Sequence, residues 1–373
     1  MAPTPVLPDP AFDWDKLAFD LYPTKGYVKY EFKDGAWGQA EWVEEPYVKM
    51  HVGSVALNYG VSCFEGCKAF RHPDSHVRVF RPDQNAARMA HSGEIICIPE
   101  VPESTFLEAI SLAVGRNLHL VPEHRAYAAN GSMYVRPLLF ASGAQLALAP
   151  PSEFTFLVYV TPTGSLYGTA GGKAPAVDAL VLHLFDRAAP MGTGSAKLAG
   201  NYAPVLKHQG QAKKDGYAIT LHLDSKTRSY IDEFSTSNFL AIKKVSSAGD
   251  ANQVPTLVVP TSPSILKSVT TKSIVAIAES FGWHVEQRPI PFEEVVQGAF
   301  DEVMACGTAA AITPIRSISY YTSEDKLEKV TIGTGETGPR VLELLAELTG
   351  IQSGTRQDKN GWCWPREGLD GSV

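Results

Sequence analysis

The chain has 373 residues, 44% hydrophobic and 20% charged, a composition that suits a globular protein too long for one ordinary core. Its formal charge of -7 argues against a nucleic-acid binder, and the short basic pairs Lys213-Lys214 and Lys243-Lys244 sit among acidic or polar neighbours. Five cysteines, an odd and low count, point to a reducing compartment; Cys63 and Cys67 have no second pair at zinc-like spacing, so no metal is expected.

The opening residues, MAPTPVLPDPAFDWDKLAFD, lack the basic start and apolar run of a secretory signal and the arginines of a transit peptide. No apolar run reaches the roughly 18 residues of a membrane span. The expectation is a cytoplasmic protein with no membrane and no nucleic-acid partner. Along the first third, Tyr47 to Val55 and Val77 to Phe80 are short apolar or alternating runs, and Asp83 to Ser92 reads as a helix opened by Pro82. Ala126 to Phe140 and Phe154 to Val160 are strand-like. Residues 166 to 177, dense in glycine, proline and threonine, read as a linker. Beyond it come a strand at Leu180 to Leu184, the loop APMGTGSAKLAG, a helix over Tyr202 to Lys214, and strands at Tyr217 to Leu223, Ser229 to Phe234 and Phe239 to Lys243. A helix over Ser268 to Phe281 takes Ser268 as its N-cap and Gly282 past its end, and another covers Pro339 to Leu348. The sum is an α+β chain of two domains, 1–165 and 178–373.

Two glycine-rich stretches resemble nucleotide motifs, and both fail. GTGSAK at 192–197 lacks the Ser or Thr that must follow a P-loop lysine, since Leu198 stands there. GTGETG at 333–338 matches GxGxxG, but SGTRQDKNGWCWP does not supply the second parallel strand of a dinucleotide fold. Lys197 itself is of more interest. It lies in a flexible glycine loop just before a helix, and a lysine can form a Schiff base only if its stem can swing and its amine can lose a proton. Most loop lysines are simply solvated. Three features lie beyond it, however: an acid, Glu233, able to face a pyridine nitrogen; a helix from Ser268 whose N–H groups at Val269 and Thr270 can take a phosphate; and a small-residue turn, Gly307-Thr308.

In that order, and with about that spacing, the segments LNYGVSCFEGCKAF, VRVFRPDQNAARM, MYVRPLLF, GTGSAKLAGNYAP, EFSTSNFLAI, ACGTAAAITPI and GWCWP resemble the branched-chain aminotransferases, the fold-type-IV class of pyridoxal-phosphate enzymes. The resemblance covers nearly the whole chain. It implies a two-domain, D-amino-acid-aminotransferase-like fold and pyridoxal 5'-phosphate as cofactor. Lys197 matches the Schiff-base lysine, Tyr202 the tyrosine at the phenolic oxygen, Glu233 the acid at the ring nitrogen and Arg88 the phosphate arginine. Val269, Thr270 and Thr308 match the other phosphate ligands, and Leu266 the side chain against the ring. Tyr59, Phe64, Tyr134 and Arg136 match substrate positions, Arg136 meeting a substrate carboxylate, with the Thr308 and Ala309 backbone at the α-carboxylate. Phe234 and Ser237 depart from the family pattern beside the acid, so Phe234 is taken as a substrate contact able to stack an aryl group. Ala310 and Thr313 stand where animal members carry a CxxC pair.

The activity implied by the resemblance is that of a ping-pong transaminase moving an amino group between a hydrophobic, branched-chain L-amino acid and 2-oxoglutarate. It would work as a homodimer with its active site near the domain and subunit boundary. An (R)-selective amine transaminase is the alternative, and a fold-type-IV lyase ranks below it.

Overall fold

The computed structural model describes residues 6–123, 131–164, 175–244, 254–369 and 371. The chain divides into two compact units: Met1–Leu166 with Ala196–Gly200 and Gly350–Val373, and Tyr167–Ser195 with Asn201–Thr349. The first break lies between Leu166 and Tyr167; of the expected linker, 166–177, all but residues 175–177 lie outside the described residues. Two segments from the second half of the sequence, 196–200 and 350–373, belong to unit 1. A contiguous division of the chain does not provide for that.

Unit 1 is built on a nine-stranded sheet. Its order runs Cys363–Leu369, Val77–Phe80, Cys67–Arg71, Ser132–Ala141, Phe154–Thr163, Tyr27–Lys33, Ala36–Trp37; Ser62–Phe64 also pairs with Ser132–Ala141, and Glu41–Val43 with Tyr27–Lys33. The helices Pro82–Ile95 and Glu103–Gly115 share a core with it, where Met89, Phe106, Ile110 and Val114 meet Val79, Val135 and Phe156. The first helix has Pro82 in its opening turn, where the missing N–H costs nothing. The second carries a buried stripe of Phe106, Ile110, Ala113 and Val114, the spacing of a helix face. The antiparallel register Cys67↔Val135 and Lys68↔Tyr134 sets Glu65-Gly66 beside Tyr134 and Arg136. The run Tyr47 to Val55 forms no strand. Tyr47 and Val52 are exposed, and Val55 instead opens the short helix Val55–Tyr59.

Unit 2 holds a closed ring of strands. Ile231–Phe234, Ile219–Leu223, Val177–Val181, Ala311–Tyr321, Phe300–Gly307 and Ser237–Lys243 follow one another, and the last pairs back to the first. Closure leaves these strands without an open edge. The two-residue turn Ser235-Thr236 sets Glu233 opposite Asn238 and Phe234 opposite Ser237. Cross-strand partners share a face and neighbours alternate, so the acid and the phenylalanine point to opposite sides. Phe234, Phe239, Ile231, Ala305 and Val303 lie in one apolar core. The helix Val269–Ser280 starts at its expected cap, Ser268 Oγ accepting from Thr271 N at 3.1 Å. Among the described residues no helix is long and apolar enough to cross a membrane.

Candidate active site

In unit 1 the Lys197 backbone is fixed on two sides. Its N–H donates to Ser92 Oγ at 2.9 Å, and Ser92 Oγ donates to Arg88 O, one helical turn back, at 2.9 Å. Its carbonyl accepts from Phe64 N at 3.1 Å, and Leu198 forms an isolated bridge with Cys63. The amine lies 4.5 Å from the centroid of the Phe64 ring. A backbone fixed in this way sets where the amine of a covalent lysine can reach.

Arg136 shares that ring. Its guanidinium carbon is 5.0 Å from the Phe64 centroid and 5.2 Å from that of Tyr134, with Nη2 donating to Tyr134 Oη at 3.4 Å. Burial works against its charge, but Tyr134, Tyr159 and Glu65 outweigh it, so its pKa is raised. Arg136 Nε is buried with no partner among the described residues. Such a donor is costly unless a ligand meets it. Tyr134 keeps its place because position 66 is glycine: a Cβ there would stand 2.0 Å from Tyr134 Oη. Arg88 is gripped by Glu65, Nε to Oε1 at 2.6 Å and Nη2 to Oε2 at 2.7 Å. Lys197, Phe64, Tyr134, Arg136 and Arg88 thus form one group within unit 1. Tyr59 lies elsewhere on it. Its hydroxyl donates to Leu146 O at 2.6 Å on an exposed apolar face that includes Leu57 and Leu148.

In unit 2 the Glu233 carboxylate is buried, with Arg187, Leu266 and Asn238 among the groups that hold it. Arg187 Nη2 lies 2.5 Å from Oε1, Leu266 N donates to Oε1 at 3.3 Å, and Asn238 Nδ2 donates to Oε2 at 2.7 Å. Asn238 Nδ2 also donates to Leu266 O at 3.1 Å, while its Oδ1 accepts from Thr271 Oγ1 at 3.0 Å. The acid is therefore wired through Asn238 to the first turn of Val269–Ser280. There the amides of Val269 and Thr270 have no partner among the described residues, as at any helix start. Thr308 and Ala309 form the turn between Phe300–Gly307 and Ala311–Tyr321. Gly307 keeps this turn against Ser237, since a Cβ there would lie 3.2 Å from Ser237 Cβ. Tyr202 closes the short helix Ala199–Tyr202, and its neighbour Asn201 exchanges hydrogen bonds with Thr193 in the glycine loop, both at 2.8 Å.

One expected contact needs correcting. Phe234 is 1% exposed and stacks on Phe239 with centroids 5.7 Å apart, in the core of the strand ring. It faces away from Glu233, so its ring is committed to packing and does not serve as a substrate contact. The residues that motif reading misses are Arg187, Asn238 and Glu65. They carry no local signature, and only the hairpin register and burial reveal that they hold the named acid and arginine.

The GxGxxG look-alike has its own explanation. The helix Pro339–Gln352 spends its first amides on a carboxylate of the chain, Arg340 N and Val341 N donating to Glu302 at 3.0 and 2.7 Å. A Cβ at Gly338 would collide with that side chain. The five cysteines are free, and no group of three His, Cys, Asp or Glu among the described residues could hold a metal ion.

Three comparisons bear on this arrangement. The sequence profile of the family described as "Amino-transferase class IV" matches residues 62–318. "Aminotransferase atnJ" of Emericella nidulans is 45% identical over 90% of this chain and 93% of its own. "Branched-chain amino acid aminotransferase gloG" of Glarea lozoyensis is 42% identical, with 96% and 97% covered. Among solved structures, the branched-chain amino acid aminotransferase of Escherichia coli superposes with a TM-score of 0.71 at 27% identity, covering 90% of this chain and 98% of that one.

Proposed function

The chain belongs to the class IV aminotransferases, enzymes dependent on pyridoxal 5'-phosphate, and from that premise we propose that it moves an amino group between a hydrophobic, branched-chain L-amino acid and 2-oxoglutarate. The observation that carries the substrate reading is Arg136: a guanidinium boxed by Phe64 and Tyr134, with a buried unpartnered Nε, in the same group as Lys197. A site built for a carboxylate rejects analogues that lack one.

The donor sets suit the cofactor. Unit 1 supplies a carbonyl-reactive amine on Lys197 and a bidentate phosphate donor in Arg88. Unit 2 supplies a buried carboxylate for a protonated ring nitrogen, and a helix start for an anion. When bound, pyridoxal 5'-phosphate supplies an electron sink for the substrate's α-carbon. Lys197 would hold the cofactor through its amine and would carry the proton at the substrate's α-carbon. Glu233 would keep the ring nitrogen protonated, Tyr202 would donate to the phenolic oxygen, and Leu266 would pack on the ring. For the phosphate, unit 1 would offer Arg88, and unit 2 the amides of Val269 and Thr270 together with Thr308. For the substrate, Arg136 of unit 1 would orient the side-chain carboxylate of glutamate or 2-oxoglutarate, and in unit 2 the Thr308 and Ala309 backbone would receive the α-carboxylate. The small-molecule donor and keto acceptor react in turn, ping-pong.

The same reading carries a cytoplasmic homodimer. Free cysteines agree with a reducing compartment, and exposed Leu57, Leu146 and Leu148 give an apolar face of the kind that self-association covers. Tyr59, on that face, would then act across the subunit boundary. The amine-transaminase alternative loses the aryl contact it drew from Phe234.

The test is a donor panel on purified protein supplied with pyridoxal 5'-phosphate and 2-oxoglutarate. L-Leucine should be turned over well, both enantiomers of 1-phenylethylamine poorly, and Lys197→Ala should lower turnover by several orders of magnitude. Good (R)-amine turnover beside poor L-leucine turnover would replace the amino-acid reading with the alternative. A Lys197→Ala protein of ordinary activity would remove both.

A further inference from the structure

The Glu65 carboxylate is fully buried inside unit 1, and a charge there is tolerated only if donors surround it. Four do: Arg88 Nε at 2.6 Å, Arg88 Nη2 at 2.7 Å, Asn85 Nδ2 at 2.7 Å and the Gly66 amide at 3.1 Å. Asn85 Nδ2 also donates to Gly66 O at 3.0 Å, which anchors the carboxylate independently of the arginine. Glu65 takes the Nε–Nη2 edge of the guanidinium, the bidentate fork that fixes its plane.

The same frame reaches Lys197. Arg88 O accepts from Ser92 Oγ, which accepts from Lys197 N, and Phe64, the neighbour of Glu65, donates its own N–H to Lys197 O. We propose that Glu65 is a positioning residue: it locks the Arg88 guanidinium in the orientation that receives the cofactor's phosphate, in fixed register with Lys197. This rests on the phosphate role given to Arg88 above.

Two effects of the carboxylate oppose each other. Its charge repels a phosphate, but the guanidinium lies between them and moderates that repulsion. Its fork removes the rotamer freedom of a long side chain, which cofactor binding would otherwise have to freeze. Orientation is the larger effect if the carboxylate is fixed before the cofactor arrives, and the Asn85 and Gly66 contacts fix it. Glutamine at position 65 would set an amide N–H against an arginine N–H and break the fork.

The experiment measures the affinity of the apoprotein for pyridoxal 5'-phosphate and for pyridoxal, which lacks the phosphate. Wild type, Glu65→Gln, Arg88→Ala and the double variant are compared, each checked for a native melting transition. Glu65→Asp is the second variant should Glu65→Gln fail to fold, because it keeps the charge and shortens the reach. Glu65→Gln, or Glu65→Asp in its place, should weaken pyridoxal 5'-phosphate binding at least tenfold and pyridoxal binding less than threefold. It should add nothing to Arg88→Ala, since the effect runs through that arginine. Equal weakening of both ligands would reduce Glu65 to a general structural role and overturn the proposal. Unchanged or tighter phosphate-ester binding would overturn it too, showing a spectator or a competitor for Arg88. If Arg88→Ala itself left the affinity unchanged, the phosphate assignment would fall, and this inference with it.

Discussion

Replacing Arg187 by methionine tests how far Glu233 depends on its counter-ion. The two side chains are 6% and 5% exposed, and methionine fills much of the arginine's volume without its charge. The substitution also removes the donations from Arg187 Nη2 to Ser264 O at 2.5 Å and Gly194 O at 3.2 Å. Breaking one side of a buried pair costs about 3–5 kcal/mol, because the surviving charge loses its counter-ion where water does not replace it. In a unit the size of unit 2, each kcal/mol moves the melting temperature by roughly 2–4 °C, so a fall on the order of 10 °C is expected. Circular dichroism melts of the apoprotein read it directly. Adding Glu233→Gln should recover about half the loss, since a neutral amide needs no counter-charge and can still accept from Leu266 N. An Arg187→Met protein melting within about 2 °C of wild type, or a double variant no better than the single, would refute the claim that this pair is coupled.

Gly66→Ala would place a Cβ 2.0 Å from Tyr134 Oη and 2.8 Å from its Cζ. It should cost about 1–3 kcal/mol of stability and raise the KM for 2-oxoglutarate more than it lowers kcat, as Tyr134 is pushed against Arg136; steady-state kinetics with an unchanged KM would contradict this. For pH, His222 is buried with Nε2 2.8 Å from Ser235 Oγ, and burial first, then Arg187 and His208, lower its pKa to about 3. Folded His222 stays neutral while the unfolded chain takes up a proton below about 6.5. Its stabilising contribution is therefore complete above that pH and declines as pH falls toward 3, by about 1.4 kcal/mol per pH unit. Denaturant unfolding between pH 5 and 7 should lose one proton's worth of slope in His222→Gln, and an unaltered slope would count against the burial argument.

The helices at Pro82 and Ser268 are legible in the sequence because capping chemistry is local: a proline in the first turn, a serine accepting from Thr271 N. Lys197, Glu233, Arg88 and Thr308 can be singled out by motif order, since residue type and spacing survive in the sequence. Glu65, Asn238 and Arg187 cannot. Their importance comes from a hairpin register, a buried fork and a pair 46 positions apart in the chain, Arg187 with Glu233. Phe234 misleads for a related reason. Proximity to the acid in sequence is opposition in a strand, and alternation turns its ring into the core. The helix Glu103–Gly115 has a readable stripe that motif order does not use, whereas the return of residues 350–373 to unit 1 has no local signal at all.

That return bears on how the protein is made. The strand Val77–Phe80 pairs on one side with Cys67–Arg71 and on the other with Cys363–Leu369. During synthesis its first partner emerges almost at once, and its second only when the chain is nearly finished. At roughly 5–20 residues per second, about 300 residues of polypeptide must pass before that edge is covered, which leaves a nascent sheet flank bare for tens of seconds. An exposed flank of that kind recruits other chains. Premature termination after the helix Pro339–Gln352 would therefore make the bare flank permanent, and such a product should enter the insoluble fraction even though every residue of the lysine, acid and arginine groups has been translated.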